Sequence, residues 1–279
     1  MRLTVFVSAL LVSASPICAQ QVWVPHASTP DLTLEIVSSD ASDPGKAPCS
    51  FSGLLSKNYY LGVRYPLMDG MLLMAEVPFG SYEMEATLGT DVIPSSFSDT
   101  RLGNPLLGAV YSLPERTVHV AFAFRLPVTS LFEDSQEAGH CMALGRYSDF
   151  ERKDAFSRGD MPFMLSLVYT PHLEFTRHKL ALRGGLKSVW GTATNQRWRQ
   201  SQYIAAILDF NFEPVAVRVG ALRYFLEFDT RLQDLLGASA MLQLGRFSPG
   251  IGVRHIVGEL IGTYARTTIN FNISYSLAD

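Results

Sequence analysis

The chain has 279 residues, 47% of them hydrophobic and 18% charged, with a formal net charge of -3 and a mean hydropathy of +0.13. That length encloses one large domain or two small ones, and the many aromatic and β-branched residues exclude a disordered chain. Beyond the N-terminus, charged residues interrupt every apolar stretch before the roughly 18 residues a membrane-spanning helix needs, and the slightly acidic balance excludes a nucleic-acid footprint.

Met1-Arg2 is a short basic start, Leu3 to Ala14 is apolar, and Ser15-Pro16-Ile17-Cys18-Ala19 offers a small-residue cleavage site. The expectation is a secretory signal peptide over residues 1–19, cut after Ala19. No Pro/Gly-rich linker or composition shift divides the remainder, so residues 20–279 read as one domain. Cys49 and Cys141 remain in an exported, oxidising setting and read as one disulfide or two isolated thiols. No Cys-x-x-Cys or His/Cys cluster has metal-site spacing, and no cofactor or metal is expected.

The organised part of the chain repeats a strand–turn–strand unit. It opens with Leu32–Val37. Asn58–Leu67 follows, carries Tyr65, and turns at Met68-Asp69-Gly70 into Met71–Phe79. Pro105–Leu113, with Tyr111, turns at Pro114-Glu115-Arg116 into Thr117–Pro127. Met161–Thr170, with Tyr169, leads across Pro171 to Lys179–Trp190. Gln202–Phe212 turns at Glu213-Pro214 into Val215–Phe228. Gly237–Phe247 is expected to turn at Ser248-Pro249-Gly250 into Ile251–Glu259, and Thr267–Leu277 closes the chain. About twelve strands result, bounded by Gly/Pro turns, which fits an all-β barrel or sandwich.

The connections decide between the two. Short turns follow the aromatic-ended strands, while longer stretches (38–57, 82–104, 128–160, 191–201, 229–235 and 260–266) join the other ends. Short turns on one side, long loops on the other and an even strand number define the transmembrane β-barrel layout, with short periplasmic turns and long extracellular loops. A sandwich has no reason to segregate its connections, whereas closure removes every sheet edge.

Alternation then assigns faces. In the closing strand, Ile269, Phe271, Ile273, Tyr275 and Leu277 share one side, and Thr268, Asn270, Asn272, Ser274 and Ser276 the other. The polar side carries neutral hydrogen-bonding groups, as a wet lumen would, rather than the charges of a soluble sandwich's outer face. Tyr65, Tyr111, Tyr169, Phe247 and Tyr275 lie near their turns, as an interfacial aromatic girdle does. The run Val215–Phe228 keeps one register only with a bulge near Gly220-Ala221, which would turn Arg218, Arg223 and Glu227 inward together.

Arg101–Pro114 (RLGNPLLGAVYSLP), followed by TVHVAFAFRLP, resembles the repeated hairpin of bacterial outer-membrane β-barrels of the porin or transporter type, nearest those linked to phenol degradation. The resemblance implies a barrel of roughly a dozen strands in the bacterial outer membrane, passing small or hydrophobic compounds, with outer-membrane lipid and the assembly machinery as partners. It carries over no catalytic residue. The chain departs from the common pattern at its end, where Ala278-Asp279 stand in place of a terminal Phe.

The lumen-lining candidates by alternation are Arg64, Glu76, His119, Arg125, Lys179, Arg183, Lys187, Asp209, Arg218, Arg223, Glu227 and Arg254, with Glu35 on the opening strand. Cations outnumber acids in this set, which leaves two expectations: a mild anion preference of an open lumen, or pairing of these cations with the acids across strands in a narrow, closed barrel. Lys179, Arg183 and Lys187 recur at even spacing and form a ladder. The sequence has no Gly-x-Ser-x-Gly, His-Glu-x-x-His or phosphate loop. His119 reads as a lumen-lining polar group, His172 and His178 flank a periplasmic turn, His140 sits in a long loop and His255 on a border position. The charged run Asp149-Phe150-Glu151-Arg152-Lys153-Asp154 reads as a solvated loop tip. A passive channel is the expected function. A non-conducting structural or surface-binding barrel and a barrel-embedded lipid hydrolase stand as alternatives.

Overall fold

The computed structural model describes residues 30–40, 50–87, 95–113, 117–131, 152–157, 159–171, 179–191, 198–226, 232–257 and 267–277. These form β1 (Asp31–Asp40), β2 (Ser50–Met68), β3 (Met71–Thr87), β4 (Ser95–Leu102), β5 (Leu106–Ser112), β6 (Val118–Arg125), β7 (Asp160–Tyr169), β8 (Lys179–Gly191), β9 (Trp198–Phe212), β10 (Val215–Leu226), β11 (Leu232–Leu242), β12 (Phe247–Val257) and β13 (Thr267–Ser276). Short 3-10 turns occupy Val128–Leu131 and Lys153–Phe156. The signal peptide, Cys49, Cys141, His140, His172, His178 and Glu227 lie outside the described residues.

Every pairing is antiparallel, and the sheet closes on itself through β1–β13 at one seam and β2–β3 at the other. Because β4 and β5 both pair with β3, one at its far end and one at its near end, they share a single place in the wall. The circumference is therefore twelve strands. Gly103-Asn104-Pro105, which the sequence suggests as part of a hairpin, is instead a break within this shared strand. The strand pattern also continues through residues 82–87 and 95–102, expected as loop. β2 runs 19 residues, about 60 Å at roughly 3.3 Å per residue, so it extends well past the ~25 Å apolar band of such barrels.

The faces are inverted relative to a soluble protein. On β13, Thr268, Asn270, Asn272 and Ser274 are buried, while Ile269, Phe271 and Ile273 are about half exposed (44–52%). Leu61, Val63 and Leu67 on β2, Leu165 and Leu167 on β7, and Ile204 and Leu208 on β9 extend the exposed apolar belt. Such a face is stable only against lipid. Tyr65, Tyr111, Tyr169 and Phe247 are exposed near the short-turn end, and the Phe247 and Tyr275 rings pack at 4.8 Å.

Two local expectations are corrected. The β11–β12 turn runs through Leu244-Gly245-Arg246, where Gly245 adopts φ +62°, so Ser248-Pro249-Gly250 lie inside β12. Gly245 takes the left-handed conformation that a tight turn requires. β10 pairs with β9 and β11 without a register shift, so there is no bulge at Gly220-Ala221. Arg218 accordingly faces inward, and Arg223 faces outward.

Candidate functional site

Of the charged run expected as a solvated tip, the described part, Arg152–Asp154, is folded into the barrel; Asp149, Phe150 and Glu151 lie outside the described residues. Arg152, Asp154, Ala155, Phe156 and Ser157 are all buried, Phe156 with 1% of its surface exposed. Opposite charges on three strands of the wall receive it. Arg152 pairs with Glu35 of β1, stands 3.5 Å from Glu76 of β3, and lies 3.8 Å over the Tyr60 ring of β2. Asp154 pairs with Lys187 of β8. Two charges two positions apart, Arg152 and Asp154, therefore bind different parts of the wall, and the turn spans the lumen between them.

The break between β4 and β5 holds the backbone of this turn. Asn104 Nδ2 donates to the carbonyls of Asp154 (3.1 Å) and Ser157 (2.7 Å), and its Oδ1 accepts from Thr129 N (3.0 Å) and Thr129 Oγ1 (2.9 Å). Because the strand is interrupted here, the Asn104 amide donates to the Ala155 carbonyl. A Cβ on Gly103 would stand 2.5 Å from that carbonyl oxygen, so only glycine permits the approach. Ala155 and Phe156 pack with Val37 and Tyr60, with the Tyr60 and Phe156 rings edge to face at 6.5 Å.

Arg125 of β6 completes the network. Its guanidinium donates to Glu76 at 2.8 Å and to the Asn104 carbonyl at 2.9 Å. Glu35, Glu76 and Asp154 are thus set against Arg125, Arg152 and Lys187. At least one charge partner for every member is what makes so dense a buried cluster tolerable.

The remaining candidates occupy other parts of the interior. Arg64 is buried and binds Asp31 through two hydrogen bonds, the longer at 2.7 Å. Arg218 binds Asp209 across β9–β10, with Nη2 to Oδ2 at 2.8 Å. Arg183 and Arg254 are buried, and Lys179 is exposed at the short-turn mouth in register with Asp209. Arg183 lies 5.9 Å from the Tyr203 ring, which packs on Tyr224 at 5.8 Å. Gly185 lies directly across from Tyr203, and a Cβ there would meet the ring at 2.4 Å, so the glycine lets the tyrosine lie across β8. His119 is half-buried on the inward side and shares a 2.8 Å hydrogen bond with Ser112 Oγ near the short-turn end. His255 is exposed and meets Thr267 Oγ1 at 2.9 Å.

Arg223 corrects the expected set. It faces out of the barrel and makes a bidentate pair with Asp234 at 2.6 and 2.7 Å. Alternation misplaces it because the interior here is lined by Leu222, Leu235 and Tyr224. With apolar residues on both sides of the strand, hydropathy does not distinguish them. The residues missed outright were Asp31, Tyr60, Asn104, Arg152, Asp154 and Phe156. Asp31, at alternation spacing from Glu35, and Tyr60, at alternation spacing from Arg64, had a signal available.

The interior is also divided by character. Leu72, Met74, Leu106, Val110, Ala121, Ala123 and Met164 cluster inside β3 and β5–β7, opposite in sequence pattern to the Asn and Ser rungs of β13.

No family model matches the sequence, and no curated protein matches it. Solved structures do match. A crystal structure of an outer membrane channel from Pseudomonas putida F1 superposes with a TM-score of 0.59 at 12% identity, over 89% of this chain and 95% of that one. The fold is that of an outer-membrane β-barrel. LpxR from Salmonella typhimurium superposes at 0.51 and 12% identity, covering 88% of this chain and 99% of its own. The KdgM porin superposes at 0.50 and 9% identity, covering 89% and 99%. At these identities the likeness is one of architecture.

Proposed function

We propose that the protein is a passive channel of the bacterial outer membrane for small solutes or hydrophobic compounds, with its lumen closed by the 152–157 turn. The observation that carries this reading is the inverted barrel. Its outside is an apolar belt, and its inside sets polar rungs and a latch of ion pairs beside apolar sectors on β3, β5–β7 and β9–β12. A wall that served only to fill a barrel would be better packed with apolar side chains, because buried ion pairs add little net stability over them. The similarity to outer-membrane channel structures supports the location, with export by the N-terminal segment, lipid contact along the belt and insertion by the outer-membrane assembly machinery.

Transport without catalysis fits the placement of His119; the other described histidine, His255, stands near the long-loop end of β12 on the outer face and meets Thr267 Oγ1. The Ser112–His119 pair sits at the short-turn end, away from the surface leaflet that a lipid hydrolase of the outer rim would address. The inward arginines and lysines favour anions in the conducting state.

Single-channel recording of the purified protein in planar bilayers tests the proposal. Reproducible conductance steps, with reversal potentials in a potassium chloride gradient displaced toward chloride, are expected. Silence from well-folded protein at all voltages would support a second reading, which the buried turn itself favours: a non-conducting barrel whose long loops carry the function.

A further inference from the structure

Asp154 is a carboxylate that the chain itself has inserted among the lumen's cations. It is carried on a four-residue 3-10 turn, not on the wall, and its partner Lys187 belongs to the strand whose inner face also bears Arg183 and Lys179. Between Lys187 and Arg183 the wall has no side chain of its own, because position 185 is glycine, and the Tyr203 ring covers the gap with Tyr224 beside it. The sequence thus builds an ammonium, an aromatic surface and a guanidinium in succession along β8. At roughly 3.3 Å per residue, Lys187 and Arg183 are separated by about 13 Å of strand, a length that a small organic anion can bridge in steps.

We propose that this stripe is the binding site for the permeating solute, that the solute is an organic carboxylate with an apolar or aromatic body, and that Asp154 occupies its place in the closed state. The inference rests on the channel reading and deepens it by naming the solute's chemistry. The solute's carboxylate replaces that of Asp154 on Lys187, and its body lies along Tyr203. The turn then keeps its anchor on Glu35 and Glu76 through Arg152 but loses its anchor on β8. Arg183 is the next cation toward the periplasmic mouth, and Lys179 the last. Charge-assisted bonds to a carboxylate are stronger than neutral ones, so a neutral analogue of the same shape is the informative control.

Calorimetric titration of the detergent-purified, full-length protein with benzoate, benzyl alcohol and acetate tests the site without requiring conduction. Benzoate is expected to bind more tightly than either control. Asp154→Asn, which removes the internal competitor, is expected to tighten benzoate binding about tenfold. Lys187→Gln is expected to weaken it about tenfold, and Lys187→Arg to restore most of it. Heat-modifiable migration in gels checks that each variant is folded. Equal binding of benzoate and benzyl alcohol, or an Asp154→Asn affinity no higher than wild type, would overturn the proposal. Conductance with no benzoate binding refutes the site alone. Benzoate binding with the expected variant order but no conductance in bilayers refutes the channel reading and leaves the site standing.

Discussion

Arg125 and Arg223 each bind a carboxylate, and the two pairs lie on opposite sides of the same wall. Arg125 reaches past β5 to Glu76 in the barrel interior, where both side chains are 1% exposed. Arg223 binds Asp234 on the outer face with better, bidentate geometry, yet 47% and 36% of the two side chains remain exposed. Bond lengths alone would rank the second pair higher. Solvent reverses the ranking: the outer pair stands three residues from the long-loop end of β10, where water replaces protein contacts at little net cost, whereas an interior charge that loses its partner has no water to replace it. The interior pair also belongs to the cluster that holds the lumen turn, so its loss propagates.

Breaking the interior pair is expected to have the largest effect. Glu76→Gln leaves Arg125 and Arg152 facing a neutral amide and should destabilise the barrel by about 3–5 kcal/mol, read as a lowered denaturant midpoint in detergent. Asn104→Ala removes the side chain that bonds two carbonyls and Thr129, stranding buried groups worth about 1–3 kcal/mol each. It should release the turn before it unfolds the barrel, so trypsin is expected to cut after Arg152 or Lys153 in the variant and not in the wild type. Gly103→Ala should give the same cleavage by steric expulsion of the turn. Smallest of all, Arg223→Gln should leave both the denaturant midpoint and the cleavage pattern unchanged within measurement error. A clear loss of stability there would mean that the outer pair is shielded by lipid from the water that weakens it.

The same contrast explains how much was legible in the sequence. Wherever one face is apolar and the other polar, as in Thr267–Ser276, alternation gave the strand, its neighbours' spacing and its lipid side. The strand number followed from the runs between Gly/Pro turns, and closure from the segregation of short turns from long connections. Arg223 was misassigned because Leu222 and Tyr224 make the interior of β10 apolar too, so the charge appeared to mark the polar face. The turn at Ser248-Pro249-Gly250 was misplaced because the Gly245 turn has the weaker local signature. The lumen turn was illegible for a different reason. A run such as Glu151-Arg152-Lys153-Asp154 is soluble on its own, and the partners that make the burial of Arg152 and Asp154 possible, Glu35, Glu76 and Lys187, are distant in sequence. Asn104 likewise looked like a turn former when its work is to bond a segment fifty positions away.

The central claim, that this is a channel closed by an ion-latched turn, is tested most directly by recording wild type and Arg152→Ala side by side in planar bilayers. Removing Arg152 frees the turn from β1 and β3 while leaving the wall intact. The account predicts small conductance steps in the wild type and larger, longer-lived ones in the variant. Identical traces from the two folded proteins, whether conducting or silent, would contradict it.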